Sequence, residues 1–107
     1  MRLRPEEPQD FAALRELHRR AFAPGDYEAD VVEALRAADA HVPELCLVAI
    51  SDDDAILGHV MISHALVDVY FAFALGPIAV DPAHQNQGIG SALMREVIGR
   101  ASCRERV

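Results

Sequence analysis

The sequence predicts a single domain of mixed α/β class, and three observations support that prediction. At 107 residues the chain falls within the size range of one domain. Helical periodicity dominates the first third of the chain, whereas short and continuously apolar runs follow it. Helical periodicity then returns after a glycine-containing loop. The elements, in order, are a strand, two helices, three strands and a final helix, which is a β-α-α-β-β-β-α arrangement.

The composition bounds the partners of this domain. An apolar share of 51% is enough for a core, and the net charge of −7 leaves no basic patch for nucleic acid. An acidic protein tends instead to attract cations such as amines. The N-terminus has no signal-peptide core, and no apolar run approaches the ~20 residues that span a bilayer. We therefore expect a cytoplasmic protein with neither a nucleic-acid nor a membrane partner.

The two cysteines predict neither a disulfide framework nor a metal site. Cys46 and Cys103 are far apart in the chain, without a Cys-x-x-Cys spacing. Cys46 lies within the apolar run of residues 45–50, where a buried structural thiol is expected.

The first strand and the first helix are predicted from the N-terminal 22 residues. Residues 2–4 form a short strand that Pro5 ends, and Pro8 suits the first turn of a helix. Apolar side chains and one histidine then recur at helical spacing to about residue 22. These are Phe11, Leu14, Leu17, His18, Ala21 and Phe22.

A second helix is predicted over residues 27–38, after a turn at 23–26 in which Asp26 can cap it. Its apolar stripe contains Val31, Leu35 and Ala38. Glu28 and Asp30 begin this helix; a solvated helix face is the simpler interpretation for both.

The middle of the chain predicts a hairpin. Residues 45–50 are continuously apolar, which is typical of a strand covered on both faces. A polar turn at 51–54 follows, and its acidic triplet lacks the glycine and terminal glutamate of a calcium loop. The partner strand runs from Ala55 to about Leu66, with Gly58 as a candidate bulge.

A fourth strand, which is apolar, is predicted over residues 74–80 and contains Pro77. Because proline cannot donate to a ladder, Pro77 is expected at an edge or a bulge. Residues 67–72 either extend the preceding strand or connect the two. The final helix begins at about Ile89. Its predicted buried side chains are Leu93, Met94, Val97 and Ile98.

The loop between that strand and that helix, residues 85–90, is the clearest candidate binding element. A helix N-terminus offers unpaired N–H groups and partial positive charge, which together favour an anion. Gly88 and Gly90 let the main chain approach a phosphate closely, and Gln85 and Asn86 add neutral donors. No lysine follows the glycines, so this is not a nucleoside-triphosphate loop. A purely structural turn is the alternative.

A Rossmann-type nucleotide site is a further alternative, but its third glycine position is occupied by Leu93. The stretch from Leu75 to Pro82, followed by Gln85, Gly88 and Gly90 at the spacing Gln-x-x-Gly-x-Gly, instead resembles the acetyl-CoA signature of the GNAT superfamily of N-acetyltransferases. The order of the preceding elements agrees with that superfamily. Residues 1–101 resemble a partial GNAT domain, most similar to a group of predicted bacterial acetyltransferases.

The resemblance implies transfer of an acetyl group from acetyl-CoA, as co-substrate, to a primary amine of a small molecule or protein. The pantetheine arm is expected along the fourth strand and the diphosphate on the loop. The implied binding residues are Ile78, Ala79, Val80, Gln85, Asn86, Gln87, Gly88, Ile89 and Gly90. The alternative is a non-catalytic acyl-CoA-binding module or an inactive fragment of the fold.

The catalytic base is not identified by the sequence. His59 and His64 are candidates; they lie five residues apart on one strand, so they are expected on opposite faces. An ordinary strand histidine is the alternative for each. Tyr70 and Phe71 either line the cleft or pack in the core.

The resemblance ends before the strands that close a GNAT domain, and residues 102–107 are expected to be a tail unlike the family. A chain without those strands is expected to be a poor catalyst. The edge of the fourth strand is then open to pairing, which makes a homodimer conceivable.

Overall fold

Four strands and three helices make up the described part of the chain, residues 1–67 and 70–105, in the computed structural model of the protein. The side chains of residues 67, 70, 71, 104 and 105 are not described. The strands are β1 (Arg2–Pro5), β2 (Leu47–Ile50), β3 (Ile56–Val67) and β4 (Tyr70–Val80). The helices are α1 (Phe11–Ala21), α2 (Tyr27–Ala37) and α3 (Ile89–Glu105).

The strands form one antiparallel sheet in the order β1-β2-β3-β4. Its two faces carry different helices. On one face Leu14 and Leu17 of α1 pack against Val48 and Ile50, and α2 adds Val32 beside Cys46. On the other face α3 packs Leu93 and Val97 against Leu47 and Ala49. Because alternate residues of β2 face opposite helices, the whole strand is apolar, as its sequence predicts.

Strand β4 contains the predicted irregularity at its proline. The register runs from Val60 opposite Ile78 to Ile62 opposite Leu75, so Gly76 and Pro77 together oppose a single residue of β3. Gly76 has a φ of 134°, which favours glycine. Pro77 therefore lies in a β-bulge, as predicted, on a strand that pairs with β3 on one side and with no strand of the described chain on the other.

The bulge predicted at Gly58 is wrong by one residue. The register shift between β2 and β3 falls at Leu57, whereas Gly58 pairs regularly with both Ala49 and Val80. The physical reason for glycine is instead close packing. A Cβ at Gly58 would lie 3.0 Å from Ile89 Cγ2 and 3.1 Å from Leu93 Cδ1 of α3.

Other predicted boundaries shift by a few residues. Strand β2 begins at Leu47, because Pro43–Leu45 forms a single 3-10 turn. Strand β4 begins at Tyr70, so the residues left open at 67–72 belong to the two strands, apart from residues 68–69, which lie outside the described chain. Helix α3 continues to Glu105, past the predicted end of the family-like region at residue 101.

The predicted helix faces need two corrections. On α3, Leu93 and Val97 are buried, but Met94 is 41% exposed and Ile98 57% exposed. Ile89, Leu93 and Val97 follow one another at intervals of four residues and form the contact with the sheet. Met94 and Ile98 each come one residue after a contact residue, so they lie outside that contact. On α2 the buried residues are Ala29 and Val32, rather than a stripe through Val31 and Ala38. No described helix has both the length and the apolar character needed to cross a membrane.

Candidate functional site

A short capped connection leads from β4 to the loop at residues 85–90. The Asp81 carboxylate accepts a hydrogen bond from the Ala83 N–H at 2.9 Å and starts a 3-10 turn over Pro82–His84. The same carboxylate forms an ion pair with Arg20 Nη2 at 3.0 Å, which ties the connection to the end of α1. The contacts of Asp81 therefore fix the position at which the loop begins.

Two residues of the loop adopt left-handed backbone conformations. Asn86 has a φ of 66° and Gly88 a φ of 82°, and these turn the chain so that α3 starts at Ile89. Ile89 is 4% exposed and packs in the core, whereas residues 85–88 are exposed. A buried apolar anchor thus holds an exposed loop at the start of a helix.

The main-chain amides at this helix start are free of helical partners. The first hydrogen bond of α3 runs from the Ala92 N–H to the Gly88 carbonyl at 3.0 Å. The amides of residues 88–91 precede it, so they have no acceptor within the helix. Together with the partial positive charge of a helix N-terminus, these N–H groups favour an anion.

An open groove connects β4 with these amides. One part, with a volume of about 310 Å³, lies between the end of α1 (Ala21 and Phe22), residues 78–80 of β4, and residues 85–86. A second part, of about 270 Å³, continues from Val80 and residues 85–86 to residues 88–91. The two parts share Val80, Gln85 and Asn86 and therefore adjoin. We call the whole depression the β4–α3 groove.

The β4–α3 groove contains eight of the nine predicted binding residues: Ile78, Ala79, Val80, Gln85, Asn86, Gly88, Ile89 and Gly90. The ninth, Gln87, is exposed in the same loop but does not line the groove. None of the described lining side chains is an acid or a base. Binding in the groove therefore depends on neutral donors and main-chain dipoles, and a proton acceptor has to come from elsewhere.

The two candidate histidines lie in different environments. His59 is 0% exposed, within the layer between the sheet and α1. His64 is exposed, and its ring lies 5.9 Å from the ring of Phe73, centroid to centroid. Neither lines the β4–α3 groove. The side chains of Tyr70 and Phe71, also considered from the sequence, lie outside the described part of the chain.

A buried polar chain, which the sequence did not predict, joins three elements of the fold and the connection that follows β1. Arg36 of α2 donates two hydrogen bonds to the Glu6 carboxylate, at 2.9 and 3.0 Å. Glu6 Oε1 lies 2.6 Å from Nε2 of His59, and Nδ1 of His59 lies 2.8 Å from Nε2 of His18. We call Arg36, Glu6, His59 and His18 the buried relay.

The charges of the buried relay follow from its contacts. Although burial alone would raise it, hydrogen bonds from His59 and Arg36 lower the pKa of Glu6 to about 2. Burial, with His59 and Arg36 nearby, lowers the pKa of His18 to about 4. Burial also lowers the pKa of His59, against the opposing effect of Glu6. At neutral pH the relay therefore contains one ion pair and two neutral imidazoles.

Sequence spacing could not reveal the relay, because Glu6, His18, Arg36 and His59 belong to separate elements. One signal was present: His18 lies on the apolar face of α1, and a polar side chain there requires a buried partner. The two acidic residues at the start of α2 lie outside the relay. Asp30 is exposed and forms an ion pair with Arg15 at 3.0 Å, and Glu28 is half-buried.

Comparisons with known proteins identify the family of this chain. Residues 11–107 match the sequence profile of the family described as Acetyltransferase (GNAT) family. The chain is 32% identical over 93 residues to the uncharacterized N-acetyltransferase YjhQ of Escherichia coli (strain K12), covering 83% of this chain. It spans 50% of the length of YjhQ.

Two solved structures are similar over most of the chain. A GNAT family acetyltransferase from Brucella melitensis, in complex with acetyl-CoA, has a TM-score of 0.82 and 38% identity; the match covers 98% of this chain and 69% of that protein. The GNAT family N-acetyltransferase YhbS from Escherichia coli, in complex with CoA, has a TM-score of 0.80 and 31% identity, covering 89% of this chain and 52% of YhbS. The family match spans most of the sequence, and this chain belongs to the GNAT family of acetyltransferases.

Proposed function

We propose that this chain is the acetyl-CoA-binding part of an N-acetyltransferase, which transfers an acetyl group to a primary amine of a small molecule or protein. The observation that supports this most directly is the β4–α3 groove. It leads from residues 78–80 of a strand with a free edge to the amides of residues 88–91. Both structural relatives named above contain CoA or acetyl-CoA.

In this proposal the elongated ligand follows the groove. The diphosphate lies on the amides at the start of α3, where main-chain N–H groups and the helix dipole favour negative charge. The pantetheine arm lies along residues 78–80, where its amide groups hydrogen-bond to the free edge of β4 as an added strand would. The bulge at Gly76 and Pro77 immediately precedes these residues in β4.

The reaction is direct attack of the amine on the thioester. The ammonium first loses a proton to a base, the amine nitrogen bonds to the carbonyl carbon, and the carbon–sulfur bond then breaks. The departing thiolate takes up a proton and leaves as free CoA. In this proposal a main-chain N–H near Ile78 stabilises the oxyanion of the tetrahedral intermediate. No acid or base lines the described groove, so the proton acceptor reaches the amine from outside it or through water.

A substitution at Gly90 tests the diphosphate site without straining the backbone. Gly90 has no positive φ, and a Cβ there would lie 3.6 Å from Val80 Cγ2, an ordinary contact. Gly90→Asp places a carboxylate in the first turn of α3, where it favours the helix but repels a diphosphate. We expect CoA affinity, measured by calorimetric titration, to fall by more than about tenfold, or about 1.4 kcal/mol.

The matched control is Gly99→Asp, which adds the same charge to the same helix. A Cβ at Gly99 meets nothing within 4 Å, and the position lies far along the helix from the loop. We expect CoA affinity close to that of the original chain. Equal affinities for both variants would show that the start of α3 does not bind the diphosphate.

The second candidate function is acyl-CoA binding without catalysis, and the absence of acids and bases among the described groove residues favours it. Both functions require CoA binding, but only the enzyme releases free CoA in response to an amine. A panel of primary amines, with thiol release as the readout, separates them. Because this chain spans half of YjhQ, the panel should include a longer form of the protein as well.

A further inference from the structure

We propose that His18 and His59 are positioning residues of the β4–α3 groove: the buried relay fixes the His18 ring, and that ring holds Phe22 as the α1 wall of the groove. The inference rests on the proposed CoA-binding function for its ligand. The positions of the protons along the relay can be tested without any ligand.

The tautomers of the relay follow from its charged end. The Glu6 carboxylate is ionised and can only accept, so Nε2 of His59 carries the proton that it donates across 2.6 Å. A neutral His59 then has a lone pair on Nδ1, which accepts from Nε2–H of His18 across 2.8 Å. Arg36 holds Glu6 in place from the other side. Three of the four ring nitrogens are thereby assigned a single role, and Nδ1 of His18, which is buried and has no hydrogen-bond partner among the described residues, is left without a proton.

The orientation of His18 matters because its ring packs against the groove wall. The rings of His18 and Phe22 are stacked, with centroids 6.0 Å apart and planes 21° from parallel. Phe22 lines the groove opposite residues 78–80. On the strand side, His59 pairs in register with Ala79, another lining residue. The relay therefore contacts both walls of the groove from behind while remaining almost fully buried itself.

Phe22 depends on this support because it lies at the end of its helix. It is the C-cap of α1, with a φ of −118°, outside the regular helix. The hydrogen bond from its N–H to the His18 carbonyl fixes its backbone at 3.0 Å, and the His18 ring is its stacking partner. Phe22 also packs against the apolar cluster that contains Leu17 and Ala79. A His18 ring free to rotate would remove one of the contacts that position this wall, and a groove whose wall is displaced binds its ligand less tightly.

Two substitutions at His18 separate the role of its hydrogen bond from the role of its ring. His18→Phe retains an aromatic ring to stack on Phe22 but removes the hydrogen bond to His59. His18→Gln retains a side-chain N–H donor but removes the ring. We expect each to raise the Kd for CoA by about tenfold while circular dichroism shows the same fold. Arg15→Gln is the control on the same helix, because Arg15 makes only surface ion pairs to Asp30 and Glu33.

Unchanged CoA affinity in folded His18→Phe would overturn the role of the relay, and unchanged affinity in folded His18→Gln would overturn the role of the stack. Should either variant fail to fold, Phe22→Ala decides, because it removes the wall and leaves all four side chains of the relay in place. A Phe22→Ala variant that binds CoA as tightly as the original chain contradicts the proposal.

Imidazole ¹⁵N spectra test the relay independently of CoA. We expect both His18 and His59 to be protonated at Nε2 and unprotonated at Nδ1 at neutral pH. In Glu6→Gln the amide can donate as well as accept, so the single-tautomer pattern should become mixed. A doubly protonated or Nδ1-protonated His18 in the original chain overturns the proposal. If the tautomers are as expected and the original chain still fails to bind CoA, the failure lies with the proposed function instead.

Discussion

At Gly58 the third helix approaches the sheet so closely that no side chain fits between them. A Cβ at this position would also lie 3.1 Å from the Ala79 carbonyl oxygen, which is main chain and cannot turn aside. The two other neighbours, Ile89 and Leu93, belong to α3. The same glycine therefore sets the distance between the sheet and the helix whose first turn forms the proposed diphosphate site.

Gly58→Ala should destabilise the protein, because a methyl group must displace either β4 or α3. We expect a loss of about 1–3 kcal/mol in the free energy of unfolding, measured by urea titration. Gly99→Ala is the matched control, since that position is open and helical. It should raise stability by about 0.5–1 kcal/mol. Equal effects of the two substitutions would contradict the close packing at Gly58.

Glu6 illustrates how a single charge stabilises a buried group of residues. Its side chain is 3% exposed and that of Arg36 is 10% exposed, so neither charge has water as an alternative partner. Glu6→Gln leaves the Arg36 guanidinium buried without a counter-charge, and we expect a loss of about 3 kcal/mol.

The comparison for Glu6→Gln is Glu96→Gln, which breaks a solvent-exposed ion pair with Arg100 on α3. An exposed pair of this kind contributes at most about 1 kcal/mol. Both variants are measured by urea titration at pH 7. A Glu6→Gln variant as stable as Glu96→Gln would show that Arg36 finds another partner.

At the level of elements, the spacing of apolar residues predicted the helices and strands, because that spacing depends only on which face of a single element is buried. The α1 stripe from Phe11 to Phe22 and the continuously apolar β2 both have their expected environments. The apolar pattern of a single element did not predict which of its residues contact a second element. Met94 and Ile98 match the apolar spacing of α3 but lie outside its contact with the sheet.

The binding loop was predictable and the buried relay was not, for a related reason. Residues 85–90 are consecutive, and their glycines, together with the helix that follows, define the site locally. The relay depends on α1, α2, β3 and the connection after β1 converging in space, and no spacing in the sequence encodes that convergence.

Strand β4 has one edge that no strand of the described chain covers. Within the described chain it pairs only with β3, and Leu75 in its middle is 43% exposed. An unpaired strand edge with apolar side chains favours pairing with another chain. Leu75→Lys should therefore reduce concentration-dependent self-association, measured by light scattering.

The control for Leu75→Lys is Met94→Lys, because Met94 is equally exposed, at 41%, but belongs to a helix whose backbone is paired. It removes a similar apolar surface without protecting a strand edge. We expect a smaller effect on association. If the two variants behave alike, general surface hydrophobicity rather than the β4 edge drives self-association.

For the molecule as a whole, the buried relay makes stability depend on acid. His18 has a folded-state pKa of about 4, against an ordinary value of 6.5, because burial opposes its charged form. The unfolded chain therefore binds the proton first, and stability falls as the pH decreases from about 6.5 to 4. The groups facing His18 are His59, Glu6 and Arg36. The His59 pKa is lowered as well, so its contribution has the same sign.

The expected size of the effect from His18 is about 3 kcal/mol between pH 6.5 and 4, at about 1.4 kcal/mol for each pKa unit. Glu6, whose pKa is lowered to about 2, adds a further loss below pH 4.5. Urea titrations at a series of pH values measure the slope, which His18→Gln should reduce. His64→Gln removes an exposed histidine of the same strand as His59 and should leave the slope unchanged. Stability that is constant from pH 7 to 5 would mean that the buried imidazoles take up protons without unfolding.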